Sequence, residues 1–259
     1  LGFTLLNTLQ SHTTTLRDIA WSPNGYFLMS YADNAIHLYN GETGELLKAL
    51  RTPQTSVTSL LWSPDSRLLF VGCENGSLMV MRVSDGQVLT TIQVHQHAVQ
   101  SLGWMPRPSL IAAGIDTGRI QIVDIKTAEC IETLKGHTDT ITALTLSAEG
   151  QILASGSADT TIRLWAGMSH HALQVYEQHD GSVNSLIWLP GTSLLMSGSA
   201  DGTIQFWDYT SPLERLEAHT ESVLSVRCSS DGQLFASKSY DGTVQLWMTE
   251  GRRVVAILL

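Results

Sequence analysis

The chain has 259 residues, 43% of them hydrophobic, with 15 basic and 24 acidic side chains and a net charge of −9. The basic residues are scattered, with only Arg252-Arg253 adjacent, so there is no concentrated positive field for a nucleic acid or an anionic membrane surface. No apolar run reaches the length of a membrane-spanning helix, and a chain of this size buries about 70–75% of its unfolded surface without a disulfide or metal staple.

Cys73, Cys130 and Cys228 lie far apart and in no metal-ligand spacing. An odd count without a staple pattern suits a reducing compartment, so the expected location is cytoplasmic, with the nucleus left open. The start, Leu1-Gly2-Phe3-Thr4-Leu5-Leu6, lacks both a signal-peptide pattern and an initiating Met. The expectation is a piece of a longer protein.

Taken in chain order, a strand-like stretch, Phe3 to Leu9, comes first. Six similar segments follow, opening at positions 12, 53, 95, 137, 179 and 219. They cover residues 12–51, 53–92, 95–134, 137–176, 179–216 and 219–259. A period near 40 residues is that of a four-stranded propeller blade. Each segment begins with a strand mixing apolar and small residues: Leu16 to Trp21, Val57 to Trp62, Val99 to Trp104, Ile141 to Leu146, Val183 to Trp188 and Val223 to Cys228. Turns such as Ser22-Pro23-Asn24-Gly25 and Ser229-Ser230-Asp231-Gly232 follow, with Pro, Asn, Asp and Gly each suited to a turn position. A second strand, a polar turn and a third strand come next, for example Leu194 to Ser197 and Thr203 to Trp207. The fourth strands are more variable: Glu45 to Leu50, Gln87 to Ile92, Cys130 to Leu134, Leu173 to Tyr176 and Arg252 to Leu259. No stretch holds a helical period and no linker interrupts the repeats. The expected fold is all-β, one domain over 1–259.

Three segments share more than a period. His137, Ser155, Asp159 and Trp165 recur as His179, Ser197, Asp201 and Trp207, and again as His219, Ser237, Asp241 and Trp247. Trp207-Asp208 is a literal Trp-Asp pair. On these residues the chain resembles the WD-repeat β-propeller family over nearly its whole length. The resemblance implies four-stranded antiparallel blades, each held by a buried chain of Trp, Ser, His and Asp. A buried carboxylate needs donors, and histidine can bridge it to a serine.

The first three repeats depart from the pattern. The first keeps His12 and Asp33 but has Tyr39 in the Trp place; the second has Pro53 and Asn75; the third has His95, Thr117 and Val123. These blades are expected to rely on apolar packing and to open first. With Phe3 to Leu9 as a closure strand, there is one strand too many for six blades and three too few for seven. The ring is therefore six-bladed, or seven-bladed with an incomplete last blade.

Ser197, His179 and Asp201 have the composition of a catalytic triad, but a triad needs an exposed nucleophile and an oxyanion hole. Its recurrence in three blades with a Trp attached points to scaffold. His95-Gln96-His97 and His170-His171 lack the third and fourth converging ligands of a zinc site. Trp21, Trp62, Trp104 and Trp188 share one repeat position and read as periodic core. No catalytic residue, cofactor or metal is expected, and no small-molecule ligand.

In the family that the chain resembles, a rim around the central channel binds partners. It is built from the residues flanking the apolar residue that leads each first strand and from the residue before each turn Asp. Carried onto this sequence, most such positions are small or neutral, such as Ser182, Ala200 and Thr142. Arg17, Glu74, Asp116, Asn184, Leu224 and Tyr240 are the partner-facing set, with Tyr and Arg the usual interface anchors. The functional expectation is a non-catalytic scaffold for a protein or peptide segment. The alternatives are a sensor domain of a multidomain signalling protein and a propeller-type hydrolase or lyase.

Overall fold

The computed structural model describes residues 8, 9, 11–52 and 55–258. They form six antiparallel sheets of four strands, each sheet in sequence order. Blade 1 is β1 (Asp18–Trp21), β2 (Phe27–Ala32), β3 (Ala35–Asn40) and β4 (Leu46–Arg51); blade 2 is β5 (Val57–Trp62), β6 (Leu68–Cys73), β7 (Ser77–Arg82) and β8 (Val88–Gln93). Blade 3 is β9 (Val99–Trp104), β10 (Leu110–Ile115), β11 (Ile120–Asp124) and β12 (Glu129–Leu134); blade 4 is β13 (Ile141–Leu146), β14 (Ile152–Ser157), β15 (Ile162–Ala166) and β16 (Ala172–Tyr176). Blade 5 is β17 (Val183–Trp188), β18 (Leu195–Ser199), β19 (Thr203–Trp207) and β20 (Pro212–Glu217); blade 6 is β21 (Val223–Cys228), β22 (Leu234–Ser239), β23 (Val244–Met248) and β24 (Arg253–Leu258). The protein is a six-bladed β-propeller. Phe3 to Leu9, apart from its last two residues, and Pro53 lie outside the described residues.

Local chemistry sets the hairpins. The Ser63 hydroxyl donates to Asp65 Oδ1 at 2.6 Å while that oxygen accepts the Arg67 N–H. Ser229 and Asp231 repeat the arrangement. Gly25 and Gly232, both at φ 70°, supply the left-handed residue that closes such turns.

Each blade buries one sheet face against the next. Five apolar clusters join blades 1–2, 2–3, 3–4, 4–5 and 5–6 in turn. A glycine on the second strand sets the approach: a Cβ on Gly198 would stand 2.7 Å from Val223 Cγ1, and one on Gly156 2.7 Å from Val183 Cγ1. Polar stitches run alongside. The carbonyl of Val99 accepts from the Thr58 and Ser59 hydroxyls, that of Ile141 from Ser101, and that of Val223 from the Asn184 amide at 2.9 Å. In blade 1 the glycine position holds Tyr31, whose hydroxyl donates to the Thr58 carbonyl at 3.1 Å.

The junction from blade 6 back to blade 1 is different. Lys238 occupies the glycine position and is exposed, and no apolar cluster of buried described residues spans this junction. The link described there is an exposed ion pair, Arg227 Nη2 to Asp18 Oδ2 at 3.3 Å. This corrects the expectation that the four tryptophans are equivalent core. Trp62 and Trp188 are buried, Trp104 is half-buried, but Trp21 is 56% exposed, at the junction where no apolar cluster of described residues forms.

The strand limits also shift. β1 pairs from Asp18, not Leu16, although the Arg17 N–H still reaches the Tyr31 carbonyl. Arg252 belongs to a short 3-10 turn, Glu250–Arg252, at positive φ, so the last strand starts at Arg253. The first strands do not alternate simply. Pairing skips Thr58, Thr142, Asn184 and Leu224, because Val57, Ile141, Val183 and Val223 and the residues two further on face consecutive partners. Gln100 is skipped likewise. Each is a bulge, an unpaired residue that re-aims its side chain.

Candidate functional site

The three Ser-His-Asp clusters are nearly superimposable in their geometry. In blade 5 the Ser197 hydroxyl bonds to His179 Nε2 at 2.7 Å, His179 Nδ1 bonds to Asp201 Oδ2 at 2.9 Å, and the Trp207 indole N–H donates to Ser197 Oγ at 2.9 Å. Blade 4 (His137, Ser155, Asp159, Trp165) and blade 6 (His219, Ser237, Asp241, Trp247) repeat these bonds within 2.7–2.9 Å. The carboxylates gain further donors. Asp159 accepts the Thr138 and Thr161 N–H groups and the Thr161 hydroxyl, and Asp201 the Asp180 and Thr203 N–H groups. Burial by itself raises the Asp159 carboxyl, but these donors outweigh it and bring it down to about 2. The same balance lowers Asp201 and Asp241. Burial lowers the His137 imidazole, with Asp159 opposing.

These contacts define what the clusters can do. Ser155, Ser197 and Ser237 are fully buried, and each hydroxyl oxygen is held by an indole N–H. A serine so enclosed offers no face to a substrate, whereas a triad nucleophile must. Asp208 of the Trp-Asp pair is a turn former, its Oδ1 accepting the Thr210 and Ser211 N–H groups at 2.7 Å.

The first three blades replace the cluster. In blade 1 the Ser30 hydroxyl bonds to His12 Nε2 at 2.7 Å, His12 stacks on His37 with centroids 4.0 Å apart, and the Ser11 hydroxyl bridges His37 and Tyr39. In blade 2 Asn75 Oδ1 accepts the Ser77 N–H and hydroxyl. In blade 3 His95 Nδ1 accepts the His97 N–H at 3.2 Å, and His97 Nδ1 lies 3.4 Å from Asp116 Oδ1. His170 pairs with Glu132 rather than converging with His171. Among the described residues no group of three or more His, Cys, Asp or Glu could hold a metal ion.

One hydrogen bond builds the rim in five blades. The N–H of Glu74 donates to the Ser56 carbonyl, Asp116 to Ala98, Ala158 to Thr140, Ala200 to Ser182 and Tyr240 to Ser222. Each bond ties the residue before the turn Asp (Asn75 in blade 2, Thr117 in blade 3) to the one before the leading apolar residue, and the bulged residue follows that apolar residue. Tyr240 is 71% exposed. Arg17 and Glu74 are exposed; Asp116 and Leu224 are half-buried. Asn184 is half-buried, and its amide is engaged by Val223 and Ser222 of the next blade, so it stitches blades. Ser222-bound Tyr240 and the Leu224 bulge share one end of blade 6, while Arg17 adjoins Asp18, which meets Arg227 from that blade.

Two surface features have no counterpart in the sequence expectations. Asp33, Asn34, Thr55, Ser56, Glu74 and Asn75 line an open polar cleft between blades 1 and 2. A second bulge recurs where the third and fourth strands pair, skipping Leu47, Leu89, Ile131, Leu173 and Leu213. All five are exposed, from 39% to 49%, and form an apolar belt on the outer strands. Its sequence signal is an apolar residue at the second position of β4, β8, β16 and β20 and at the third of β12.

Comparison with known proteins agrees with this architecture. Residues 3–40, 128–166, 171–208 and 210–248 match the family described as WD domain, G-beta repeat. Residues 50–107 match the Anaphase-promoting complex subunit 4 WD40 domain. A chain of a solved structure titled "Crystal Structure of Mitotic Checkpoint Complex" superposes with a TM-score of 0.84 at 24% identity, covering 100% of this chain and 88% of that one. With the family match spanning more than half of its residues and the fold made of six four-stranded blades, the chain belongs to the WD-repeat β-propeller family.

Proposed function

We propose that the protein is a non-catalytic scaffold that docks a protein or peptide segment on the rim near Tyr240, Leu224 and Arg17. The observation that carries this reading is the fate of the reactive side chains. All three Ser-His-Asp sets are sealed inside blades, each serine fully buried, which speaks against a hydrolase built on them. What remains accessible on the rim is an exposed Tyr, an Arg and an apolar bulge residue, the composition of an interface anchor. The solved relative and the second matched family are named for multi-protein assemblies, which fits a scaffold. The partner is a polypeptide; the net charge of −9 argues against nucleic acid or an anionic membrane.

The test is quantitative capture of partners by immobilised protein. Tyr240→Ala and Arg17→Glu, each in folded protein, should weaken capture about tenfold, the loss of one anchor. Arg82→Ala, at the opposite end of its blade and paired with Asp85, should leave capture unchanged. Equal capture by all three variants sinks the rim assignment.

A further inference from the structure

At the end of blades 1 and 2 opposite the rim, a cleft of about 370 Å³ opens between Phe27 of β2 and Ser66, Arg67, Arg82, Val83 and Ser84 of blade 2. Two other junctions show why this one stays open. Between blades 3 and 4 a proline closes the corresponding space: a Cβ on Gly150 would stand 3.4 Å from Pro106 Cβ, and one on Gly167 2.9 Å from its Cγ. Between blades 5 and 6 a Cβ on Gly232 would stand 3.1 Å from the Pro190 carbonyl oxygen. Between blades 1 and 2 the place of Gly150 and Gly232 is taken by Ser66, at φ 60°, whose hydroxyl accepts the Asn24 N–H at 3.1 Å. A side chain, and not a bare Cα, therefore separates the two turns. The floor is apolar: Val83 is buried, and half-buried Phe27 stacks on Trp62 with centroids 6.0 Å apart. The Trp62 indole N–H is buried without an acceptor among the described residues, whereas Trp104 donates its own to the preceding blade at 3.0 Å. The junction lacks that stitch as well.

The mouth of the cleft is basic. Lys48, Arg67 and Arg82 stand at it, three of only 15 basic side chains in a chain of net charge −9. Arg82 is held by Asp85 at 2.8 Å and by Gln87. The Lys48 ammonium reaches from β4 to the Val83 and Ser84 carbonyls. Arg67 is exposed, and only its backbone N–H is engaged by Asp65. Neither Arg67 nor Lys48 has a carboxylate partner among the described residues. We infer that this cleft docks a segment of a partner polypeptide that carries a leucine-sized apolar side chain next to a carboxylate. The apolar side chain lies against Phe27 and Val83, and the carboxylate meets Arg67 and Lys48. Charge complementarity carries the assignment, since a guanidinium presents a fork that matches a carboxylate and the apolar floor takes the side chain beside it. The volume, at the low end of the roughly 300–1,000 Å³ of ligand sites, suits a side chain and its neighbour. This inference does not rest on the rim assignment.

The test titrates a peptide of sequence Gly-Glu-Leu-Glu-Gly, capped at both ends, into isotope-labelled protein and follows the backbone amides by NMR. The amides of Ser66, Arg67, Val83 and Ser84 should shift and saturate together. Arg67→Glu, an exposed substitution that leaves the remaining amides in place, should weaken binding about tenfold. Tyr240→Ala, on the rim, should leave it unchanged. A peptide with Gln in place of Glu should bind several-fold more weakly, and so should one with Ser in place of Leu. Equal binding of the Gln peptide removes the carboxylate from the recognition and overturns the inference. Equal binding of the Ser peptide reduces the cleft to plain ionic attraction and overturns it too. Failure of the four amides to saturate, or an unchanged affinity in Arg67→Glu, does the same. Displacement of the peptide by inorganic phosphate at matched concentration also overturns it, in favour of a phosphate ligand.

Discussion

The Trp207 indole N–H and His179 Nε2 meet on one atom, Ser197 Oγ, at 2.9 and 2.7 Å. The carboxylate of Asp201, which can only accept, fixes the proton order for a neutral imidazole. The indole donates to Ser197, the serine donates to His179, and the Nδ1–H of His179 donates to Asp201.

Breaking the far end of this chain should be costly. Asp201→Ala leaves His179 and the Thr203 N–H without their acceptor in a site where the carboxylate is 6% exposed. The expected loss is roughly 2–4 kcal/mol, read as a shift of the urea midpoint at constant m. Asn75→Ala, which removes turn bonds alone, should cost less than 1 kcal/mol or so. Equal losses would contradict the network's structural role.

The fold should weaken on acidification in two windows. Folded His137 is lowered below its usual 6.5, so the unfolded chain binds its proton first and stability falls as pH drops below about 6.5. Folded Asp159 sits at about 2, against roughly 3.9 unfolded. Its contribution is present above about pH 4 and lost as pH falls toward 2. Asp159→Asn should flatten the lower window in urea titrations at pH 5, 4 and 3. Parallel curves for the variant and the parent would refute the lowered carboxyl.

Two bulge residues at one repeat position should behave differently. Asn184→Ala removes an amide bonded to Val223 and should cost about 1 kcal/mol while leaving partner capture intact. Leu224→Ala should do the reverse. Thermal melts with the same capture assay decide it.

The glycine position offers a sharper contrast. Gly198→Ala pushes a methyl to 2.7 Å from Val223 Cγ1 and should cost about 1–3 kcal/mol by overpacking. Lys238→Ala, the same position in blade 6, should stay within about 0.5 kcal/mol. A large loss at Lys238 would mean that the junction is packed after all.

The repeat was legible because His, Ser, Asp and Trp at fixed spacing have to meet, and Pro-Asn-Gly turns fix where strands end. The bulges were not, although their trace was present. Val183, Leu186 and Trp188 are spaced three and then two, which breaks strict alternation, and the extra residue is Asn184. Trp21 was beyond sequence reasoning for another reason. It has the same chemistry and repeat position as Trp188, and its exposure depends on whether a blade stands beside it. The blade 1 variant was legible only as a loss, since Tyr39 in the Trp place gives no hint of His12 stacked on His37.

The unsealed junction also changes how this molecule can come apart. In a circle every blade has two neighbours, so none can leave without breaking two interfaces. Here blades 6 and 1 share, among the described residues, an ion pair and no buried apolar cluster, so this junction is the weakest link of the circle and the place from which unfolding can fray. Blade 1, with a substitute network beside that junction, is where hydrogen exchange should be fastest.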